Sequence, residues 1–302
     1  MRTRTLGPLE VSVVGLGCNN FGRRVDQDGT LAVVDAALEA GVAFFDTAES
    51  YGGGQSEAFL GHALRGRRER VVLATKFGGG DAGRGKGAPA EIRRALEGSL
   101  DRLQTDFVDL YQHHQEDPET PLAETVGALD ELVREGKVRA YGTSNYSSER
   151  LEETVGLARE AFVSEQSRYS WLARGAESDL LPACERLGLG FIPYFPLASG
   201  LLTGKYRRGQ PAPEGTRLHG REISDDDFDR VEALEAFADE RGVSLLEVAI
   251  GGLAAQRPVA SVIAGATTPE QVRGNAAAGA WEPSPEDLEA LRRAAGYEAP
   301  TQ

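Results

Sequence analysis

Four ionisable side chains, Asp46, Tyr51, Lys76 and His114, end or closely follow three successive apolar segments of the 302-residue sequence. A carbonyl group that accepts a hydride develops negative charge on its oxygen and needs a proton donor there. A phenol is a weak acid near neutral pH, but a nearby ammonium group lowers its pKa. We therefore expect Tyr51 to donate the proton, with Lys76 lowering its pKa. Asp46 would hold Lys76 charged, and His114 would orient the carbonyl oxygen.

Taken one at a time, three of these residues also have a purely structural interpretation. An Asp before a loop often caps a turn, a Tyr can anchor a loop, and a His at a strand end is commonly a hydrogen-bonded polar residue. Lys76 is harder to explain, because a Lys that ends an apolar strand is costly to bury without a carboxylate partner. Asp46 on the neighbouring segment supplies that partner.

The elements that must position these residues alternate regularly along the chain. Eight short β-branched and apolar segments are separated by longer segments of helical period, which is typical of βα units and a parallel sheet. The carboxyl ends of parallel barrel strands share one face, so residues distant in sequence converge there. The sequence therefore predicts an α/β protein, a single-domain (β/α)8 TIM barrel over residues 1–302. Periodicity does not report strand order, and a doubly wound open sheet remains the alternative.

The predicted strands cover residues 14–17, 42–46, 71–76, 107–113, 138–143, 162–167, 190–195 and 260–265. The predicted helices cover residues 30–40, 57–64, 89–103, 123–135, 148–159, 178–187 and 269–277. Two extra helices, 225–241 and 244–256, precede the last strand, and residues 9–13 form a small strand outside the barrel. The longest segment without either period, 198–223, is expected to be a functional loop.

Composition excludes several classes of function. The formal net charge of −14 disfavours a nucleic-acid partner, since such binding rests on Lys and Arg neutralising phosphates. No apolar run approaches the length of a membrane span, so no membrane partner is expected. The two cysteines, Cys18 and Cys184, show no metal-binding spacing, and we expect no metal site and a cytoplasmic protein.

Two glycine motifs are rejected as nucleotide sites. Gly15 and Gly17 begin a Rossmann-like pattern, but Asn20 stands where the third glycine belongs. The run from Gly80 to Lys86 satisfies the GxxxxGK pattern of a P-loop, yet the next residue is a glycine, so the hydroxyl that binds magnesium is absent. A Gly-rich surface loop is the better interpretation of this run.

The chemistry-bearing segments resemble the aldo-keto reductase family from about residue 6 to residue 275. FDTAESYG at 45–52, ATK ending at Lys76 and DLYQHH ending at His114 are similar to its catalytic blocks. The resemblance implies a (β/α)8 barrel that reduces an aldehyde or ketone with NADPH, with NADH not excluded. It also assigns the catalytic histidine to His114 rather than His113, a choice that strand alternation alone leaves open.

The resemblance further implies a cofactor site. Ser144, Asn145 and Gln166 match residues that hold the nicotinamide carboxamide. Tyr194 matches an aromatic residue that stacks on the nicotinamide, and Lys205 matches the cation of a loop that closes over the pyrophosphate. The full set of expected cofactor contacts is Cys18, Asn19, Asp46, Ser144, Asn145, Gln166, Tyr194, Phe195, Pro196, Leu197, Ser199, Gly200, Lys205, Gly265, Thr267, Gln271 and Asn275.

The last block of the resemblance, residues 263–275, departs from the family pattern. Gly274 replaces a glutamate, and residues 265–268 lack the basic residue that many relatives place there. A 2′-phosphate is best recognised by Arg or Lys, so Arg273 is predicted as a substitute contact. The substrate pocket is expected among the loops around Asn19, Asn20, Trp171 and Arg221.

Two other functions fit the same residues. A regulatory subunit that binds nicotinamide nucleotide, like the potassium-channel beta subunits of this family, keeps all four catalytic residues. An isomerase or lyase on the same barrel would act without nicotinamide. A small carbonyl substrate is the expected partner, while its identity and the oligomeric state are not encoded in any of these motifs.

Overall fold

A computed structural model describes residues 1–80 and 85–296 of the chain. Within these ranges, eight parallel strands form a barrel with helices around it. The strands are rich in Val, Ile, Leu and aromatic residues, as expected where both strand faces are buried. The barrel strands are β3 (Val14–Gly17), β4 (Phe44–Asp46), β5 (Val72–Phe77), β6 (Val108–His113), β7 (Val138–Ser144), β8 (Phe162–Arg168), β9 (Gly190–Tyr194) and β10 (Val262–Gly265).

The strands follow one another around the barrel in chain order, and β10 pairs with β3. Closure on the other side involves Phe191 of β9 and the segment that enters β10. The Phe191 amide donates to the Pro258 carbonyl at 3.1 Å, and the Ala260 amide donates to the Phe191 carbonyl at 2.8 Å. The predicted (β/α)8 barrel is therefore confirmed, and the doubly wound alternative is wrong.

The helices lie outside the barrel. The helices found in the described ranges are α1 (Gln27–Glu39), α2 (Gln55–Ala63), α3 (Pro89–Leu103), α4 (Leu122–Arg134), α5 (Ser148–Leu157), α6 (Leu180–Leu187), α7 (Asp225–Arg241), α8 (Leu245–Ala254), α9 (Pro269–Ala278) and α10 (Pro285–Ala294). The two predicted extra helices are α7 and α8, between β9 and β10. Helix α10 is not among the predicted elements, although Ser284 and Asp287 form a capping box before a proline-started turn.

The amino end of the barrel is closed by a hairpin. Strands β1 (Thr3–Leu6) and β2 (Leu9–Ser12) pair antiparallel, whereas the sequence predicts only a strand at 9–13. Leu6, Leu9 and Val11 pack into one apolar cluster with side chains of the barrel interior, including Phe44 and Leu110. Apolar packing thus fills this end, and the carboxyl end is left for a site.

Two loops that the sequence singles out, 198–223 and the Gly-rich run at 80–86, connect strands to helices. Residues 198–223 begin with a short 3-10 segment, Ala198–Thr203, and otherwise form the irregular connection to α7. Most of the rejected GxxxxGK motif, residues 81–84, lies outside the described residues. No helix in the described ranges is long and apolar enough to cross a membrane. The same ranges contain no cluster of His, Cys, Asp and Glu that could hold a metal ion.

Candidate active site

A cavity of about 900 Å³ lies at the carboxyl ends of the barrel strands. Active sites of TIM barrels occur at this end, because the βα loops there carry side chains from several strands. The residues that the sequence predicts for catalysis or cofactor binding line this cavity, except Lys76 and Arg273. Lys76 is fully buried beneath it.

A buried ion pair forms the floor of the cavity. Lys76 Nζ donates to Asp46 Oδ2 at 2.5 Å and to the Thr47 carbonyl at 2.9 Å. Gln166 Nε2 and Gln112 Nε2 donate to the other carboxylate oxygen, Oδ1, at 2.9 and 3.1 Å. Both oxygens of Asp46 therefore have partners, as a carboxylate at this depth requires.

Tyr51 lies beside this pair, at the start of a 3-10 turn after β4. The centre of its ring is 5.2 Å from Lys76 Nζ. Burial would lower the pKa of Lys76, but the Asp46 carboxylate and the Tyr51 hydroxyl raise it above its usual value, so the ammonium is charged. Lys76 acts to lower the pKa of Tyr51, as expected, but it does not set the direction of the net shift in that pKa. Burial raises it, and the opposing charge of Lys76 offsets only part of that rise.

The two adjacent histidines at the end of β6 have separate environments. His114 lines the cavity, and its ring meets that of Tyr51 edge to face with centroids 5.8 Å apart. His113 is buried outside the cavity, stacked on Phe77 and hydrogen-bonded through Nδ1 to the Tyr146 hydroxyl at 2.8 Å. Burial, then the charge of Lys76, lowers the pKa of His114 to about 3. A neutral imidazole therefore faces the cavity.

A tight turn after β7 presents Ser144 and Asn145 to the cavity. Asn145 has a φ of 63°, in the left-handed region that Asn tolerates better than most residues. Its Nδ2 donates to the His114 carbonyl at 3.1 Å, and its Oδ1 accepts from the Tyr194 hydroxyl at 2.8 Å. The turn is thus tied to both His114 and β9.

The connection after β9 forms another wall of the cavity, and its backbone has unusual geometry. Phe195, Ala198 and Ser199 have φ values of 54°, 44° and 60°. A Cβ on Gly200 would lie 2.6 Å from Lys205 Nζ, so the lysine ammonium lies directly against this turn. Lys205 is exposed and contacts the ring of Tyr206.

The far end of the cavity is built from β10 and the start of α9. Gln271 Oε1 accepts from the Thr267 amide at 2.9 Å, and Asn20 Nδ2 donates to the Ala266 carbonyl at 3.2 Å. Arg273, the predicted substitute for a missing basic residue, does not line the cavity. Its guanidinium pairs instead with Glu39 of α1 at 3.3 Å.

Three arginines that the motifs do not single out line the same cavity: Arg23, Arg24 and Arg217. Arg217 donates to Asn19 Oδ1 at 3.2 Å and to Asn20 Oδ1 at 3.1 Å, and it lies over the ring of Phe195. The sequence could have indicated Arg23 and Arg24, because two consecutive arginines follow a glycine-rich strand end. Arg217 had none, because only the path of the long loop brings it here.

Two residues expected near the substrate pocket lie elsewhere. Trp171 is fully buried and donates to the Val248 carbonyl at 2.9 Å, so it belongs to the packing between β8 and α8. Arg221 is exposed and does not line the cavity. A further missed residue, Gln112, carries an amide that faces Asp46 from β6.

Comparisons with solved structures agree with this architecture. The chain is similar to the aldo-keto reductase AKR11C1 of Bacillus halodurans in its holo form, with a TM-score of 0.82 and 33% identity over 97% of this chain and 96% of that one. It is also similar to an aldo/keto reductase of Klebsiella pneumoniae in complex with NADP and acetate, with a TM-score of 0.76 and 32% identity over 96% and 94% of the two chains.

Sequence comparisons lead to the same family. The chain is 39% identical to an uncharacterized oxidoreductase, YrpG, of Bacillus subtilis, over 88% of this chain and 86% of that protein. It is 37% identical to a probable voltage-gated potassium channel subunit beta of rice, over 91% and 90%. The model of the Aldo/keto reductase family matches residues 13–295. The chain therefore belongs to the aldo/keto reductase family.

Proposed function

We propose that this protein is an NADPH-dependent oxidoreductase that reduces an aldehyde or ketone to an alcohol. The observation that carries the proposal is the buried pair of Asp46 and Lys76 beside Tyr51 and His114. Membership of the family supports the reaction type, and the relative from Klebsiella pneumoniae, in complex with NADP, supports the cofactor.

The cavity fits a nicotinamide dinucleotide in size and in the chemistry of its lining. A volume of about 900 Å³ is in the range of cofactor sites. Hydroxyl and amide groups of Ser144 and Asn145 lie near the catalytic residues, where a carboxamide needs hydrogen-bond partners. The lining also carries Lys205 and three arginines, which suit phosphate groups. When bound, the reduced nicotinamide supplies the hydride.

Tyr51 is proposed to protonate the oxygen of the substrate carbonyl. As hydride adds to the carbonyl carbon, the C=O electron pair moves to oxygen, and the Tyr51 hydroxyl proton goes to that oxygen. The charge left on the tyrosyl oxygen is stabilised by the Lys76 ammonium. Because burial raises the pKa of Tyr51, the phenol is protonated before the reaction, as an acid must be.

His114 and Asp46 are proposed to prepare the site for this proton transfer. His114 is neutral at working pH, so it can donate one N–H to the carbonyl oxygen without adding a positive charge. Asp46 keeps Lys76 charged and fixed, and Gln112 and Gln166 fix Asp46 in turn. These contacts thereby keep the Lys76 ammonium charged and in a fixed position.

The proposed acid is tested by Tyr51→Phe. Wild-type protein should oxidise NADPH in the presence of an activated aromatic aldehyde such as a nitrobenzaldehyde. The variant should lose turnover by about 100-fold or more, since general acid catalysis contributes at least that much. Its NADPH binding, followed by quenching of protein fluorescence, should be retained. Full turnover in Tyr51→Phe would show that another group donates the proton.

Preference for NADPH is proposed to depend on Arg217 with Arg23 and Arg24. Arg217→Met should raise the KM for NADPH by about 10-fold, the loss expected for one hydrogen bond to a charged group, and change the KM for NADH less. Arg221→Met is the matched control, because Arg221 is on the same loop but outside the cavity. Equal effects on both cofactors would contradict a role in selecting the phosphate.

A regulatory subunit is the second candidate function. It is favoured by the relatives from rice and Arabidopsis thaliana that are named as probable channel beta subunits, at 37% and 35% identity. Turnover with a broad panel of carbonyl compounds favours the enzyme. Tight NADPH binding without turnover, together with co-purification of a stoichiometric membrane protein, would favour the subunit.

A further inference from the structure

Adjacent residues at the carboxyl ends of β6 and β8 divide between two layers. His114 and Gln166 line the cavity, whereas their neighbours His113 and Glu165 are buried behind it. Strand alternation explains the division, since successive side chains point to opposite faces. The second layer has no assigned role in the proposed reaction, and Glu165 is the acid among these four residues.

Glu165 is fully buried and is the hydrogen-bond centre of this layer. Its Oε2 accepts from the Thr143 hydroxyl at 2.6 Å. Its Oε1 accepts from the Ser167 hydroxyl at 2.6 Å and from the Tyr146 amide at 3.2 Å. The carboxylate thus joins β7, β8 and the turn at residues 144–146.

That turn carries two of the residues proposed to hold the cofactor. Asn145 at its centre has a positive φ, which the surrounding structure must maintain because it is unfavourable for a non-glycine residue. The Tyr146 amide follows directly and is bound by Glu165, and the Tyr146 hydroxyl contacts His113 at 2.8 Å. Removing the carboxylate would leave this amide without its acceptor on the buried side.

Glu165 has no cationic partner among the described ion pairs, which is costly for a buried carboxylate. Burial raises its pKa to about 7, although the hydrogen bonds from Ser167, Thr143 and Tyr146 oppose the rise. The titratable groups that feel its charge are Tyr146 of the turn, Tyr194 of β9 and Cys184 of α6.

We propose that Glu165 is a positioning residue that holds the 144–146 turn in its cofactor-binding conformation, most firmly when the carboxylate is ionised. The ionised group accepts hydrogen bonds at both oxygens. When the group is protonated at Oε2, that oxygen must donate to the Thr143 hydroxyl, and Oε1 stays an acceptor for Ser167 and the Tyr146 amide but a weaker one than in the carboxylate. The effect on cofactor binding rests on the proposed function, whereas the effect on the turn does not.

The turn is tested first, in the full chain without ligand. Backbone hydrogen exchange of residues 144–146 should accelerate by about 10-fold or more in Glu165→Ala, since a hydrogen bond to a charged acceptor is lost. Glu165→Gln, which keeps an acceptor, should restore most of the protection. Thr143→Val removes one donor to the carboxylate and serves if Glu165→Ala does not fold. Unchanged exchange in the variants that fold would overturn the proposal.

Asp130→Ala is the matched control, because Asp130 is also buried and accepts from a Tyr hydroxyl and two backbone amides, those of residues 159 and 160. It should accelerate exchange at residues 159–160 and leave the 144–146 turn unchanged. Accelerated exchange of the turn in this variant as well would show a global effect and would overturn a specific role of Glu165.

Cofactor binding is tested second, with NADPH titrated into each protein across neutral pH. The dissociation constant should rise about 10-fold in Glu165→Ala with kcat changed less, and the wild type should gain affinity over Glu165→Gln as pH rises through about 7. The same pH dependence in both would overturn the role of the charge. If the wild type does not bind NADPH, the proposed function fails, while the exchange experiment still decides the role of Glu165 in the turn.

Discussion

The two ends of the barrel both contain buried carboxylates but hold them differently. At the amino end, Asp109 accepts from Arg68 at 2.8 Å, from Arg139 at 2.7 Å and from the Leu73 amide at 2.9 Å, and both arginines reach solvent. At the carboxyl end, the pair of Asp46 and Lys76 is shielded from solvent. The ion pairs of Asp109 therefore keep part of their hydration, whereas the pair of Asp46 and Lys76 bears the full free-energy cost of desolvation.

The backbone shows the same difference. Asn145, Phe195, Ala198 and Ser199, which have positive φ without being glycine, all lie in the loops around the cavity. In the described ranges the one other such residue, Gln104, ends α3, where a left-handed residue is ordinary. Strained backbone and a fully desolvated ion pair thus concentrate at the carboxyl end, as expected for the end where TIM barrels carry their sites.

The largest expected effect separates chemistry from stability at the carboxyl end. Lys76→Met should lower kcat/KM by about 100- to 1,000-fold and destabilise the fold by about 3 kcal/mol, because Asp46 is left as a buried charge without its cation. The double variant Asp46→Asn with Lys76→Met should regain stability in urea unfolding without regaining turnover. A double variant as unstable as the single one would argue that the pair serves the fold.

The reciprocal change is expected at the amino end. Asp109→Ala should cost about 3 kcal/mol of unfolding free energy, because two guanidinium groups and the Leu73 amide lose their acceptor. The kcat of the folded protein should stay unchanged. Asp109→Asn, which keeps an acceptor for the amide, is the milder control. Loss of kcat in folded Asp109→Ala would contradict the division between the two ends.

The pH dependence of stability should also arise mainly at the carboxyl end. Burial lowers the pKa of His113 to about 4 and of His114 to about 3. The stability that the two neutral histidines contribute is therefore fully present above about pH 6.5 and is lost as the pH falls. Glu165, with its pKa raised to about 7, acts oppositely on global stability, because desolvation of its charge outweighs the hydrogen bonds that favour the ionised form. Its contribution is present below about 4.5 and is lost as pH rises through 7.

Urea unfolding as a function of pH checks these signs. Removing His113 with His113→Gln should reduce the acid-side slope by up to about 1.4 kcal/mol per pH unit, the value for one proton. Glu165→Gln should reduce the decline of stability between about 4.5 and 7 by a similar slope. If both variants show the wild-type slope of unfolding free energy against pH, other groups cause the pH dependence.

The smallest expected effect tests the packing around His114. A side chain on Gly79 would lie 2.8 Å from His114 Nδ1 and 3.0 Å from Ser50 Oγ. Gly79→Ala should therefore move the His114 ring and lower kcat by about 10-fold, with little loss of stability. Gly127→Ala, at an open position of α4, should raise stability by about 0.5 to 1 kcal/mol and leave kcat unchanged. Unchanged kcat in Gly79→Ala would show that the ring tolerates the shift.

Much of the fold was predictable because local patterns encode it. The predicted bounds of α3 and α7 match the structure, since Pro89 starts the first and Gly242 ends the second. Helix α10 was missed because it is short, half of its ten residues are charged, and Leu291 is its one buried residue. The hairpin strand β1 was missed for a similar reason, as only Leu6 of its four residues is buried.

The sequence by itself determined the alternation of strands and helices, the four ionisable side chains at the strand ends and the family that these motifs resemble. Such features are set by residue type and spacing along the chain. Only the tertiary structure decided that burial raises the pKa of Tyr51, that Arg217 rather than Arg273 reaches the cavity, and that Glu165 holds the 144–146 turn. Each of these depends on desolvation and on neighbours through space, which spacing along the chain does not report.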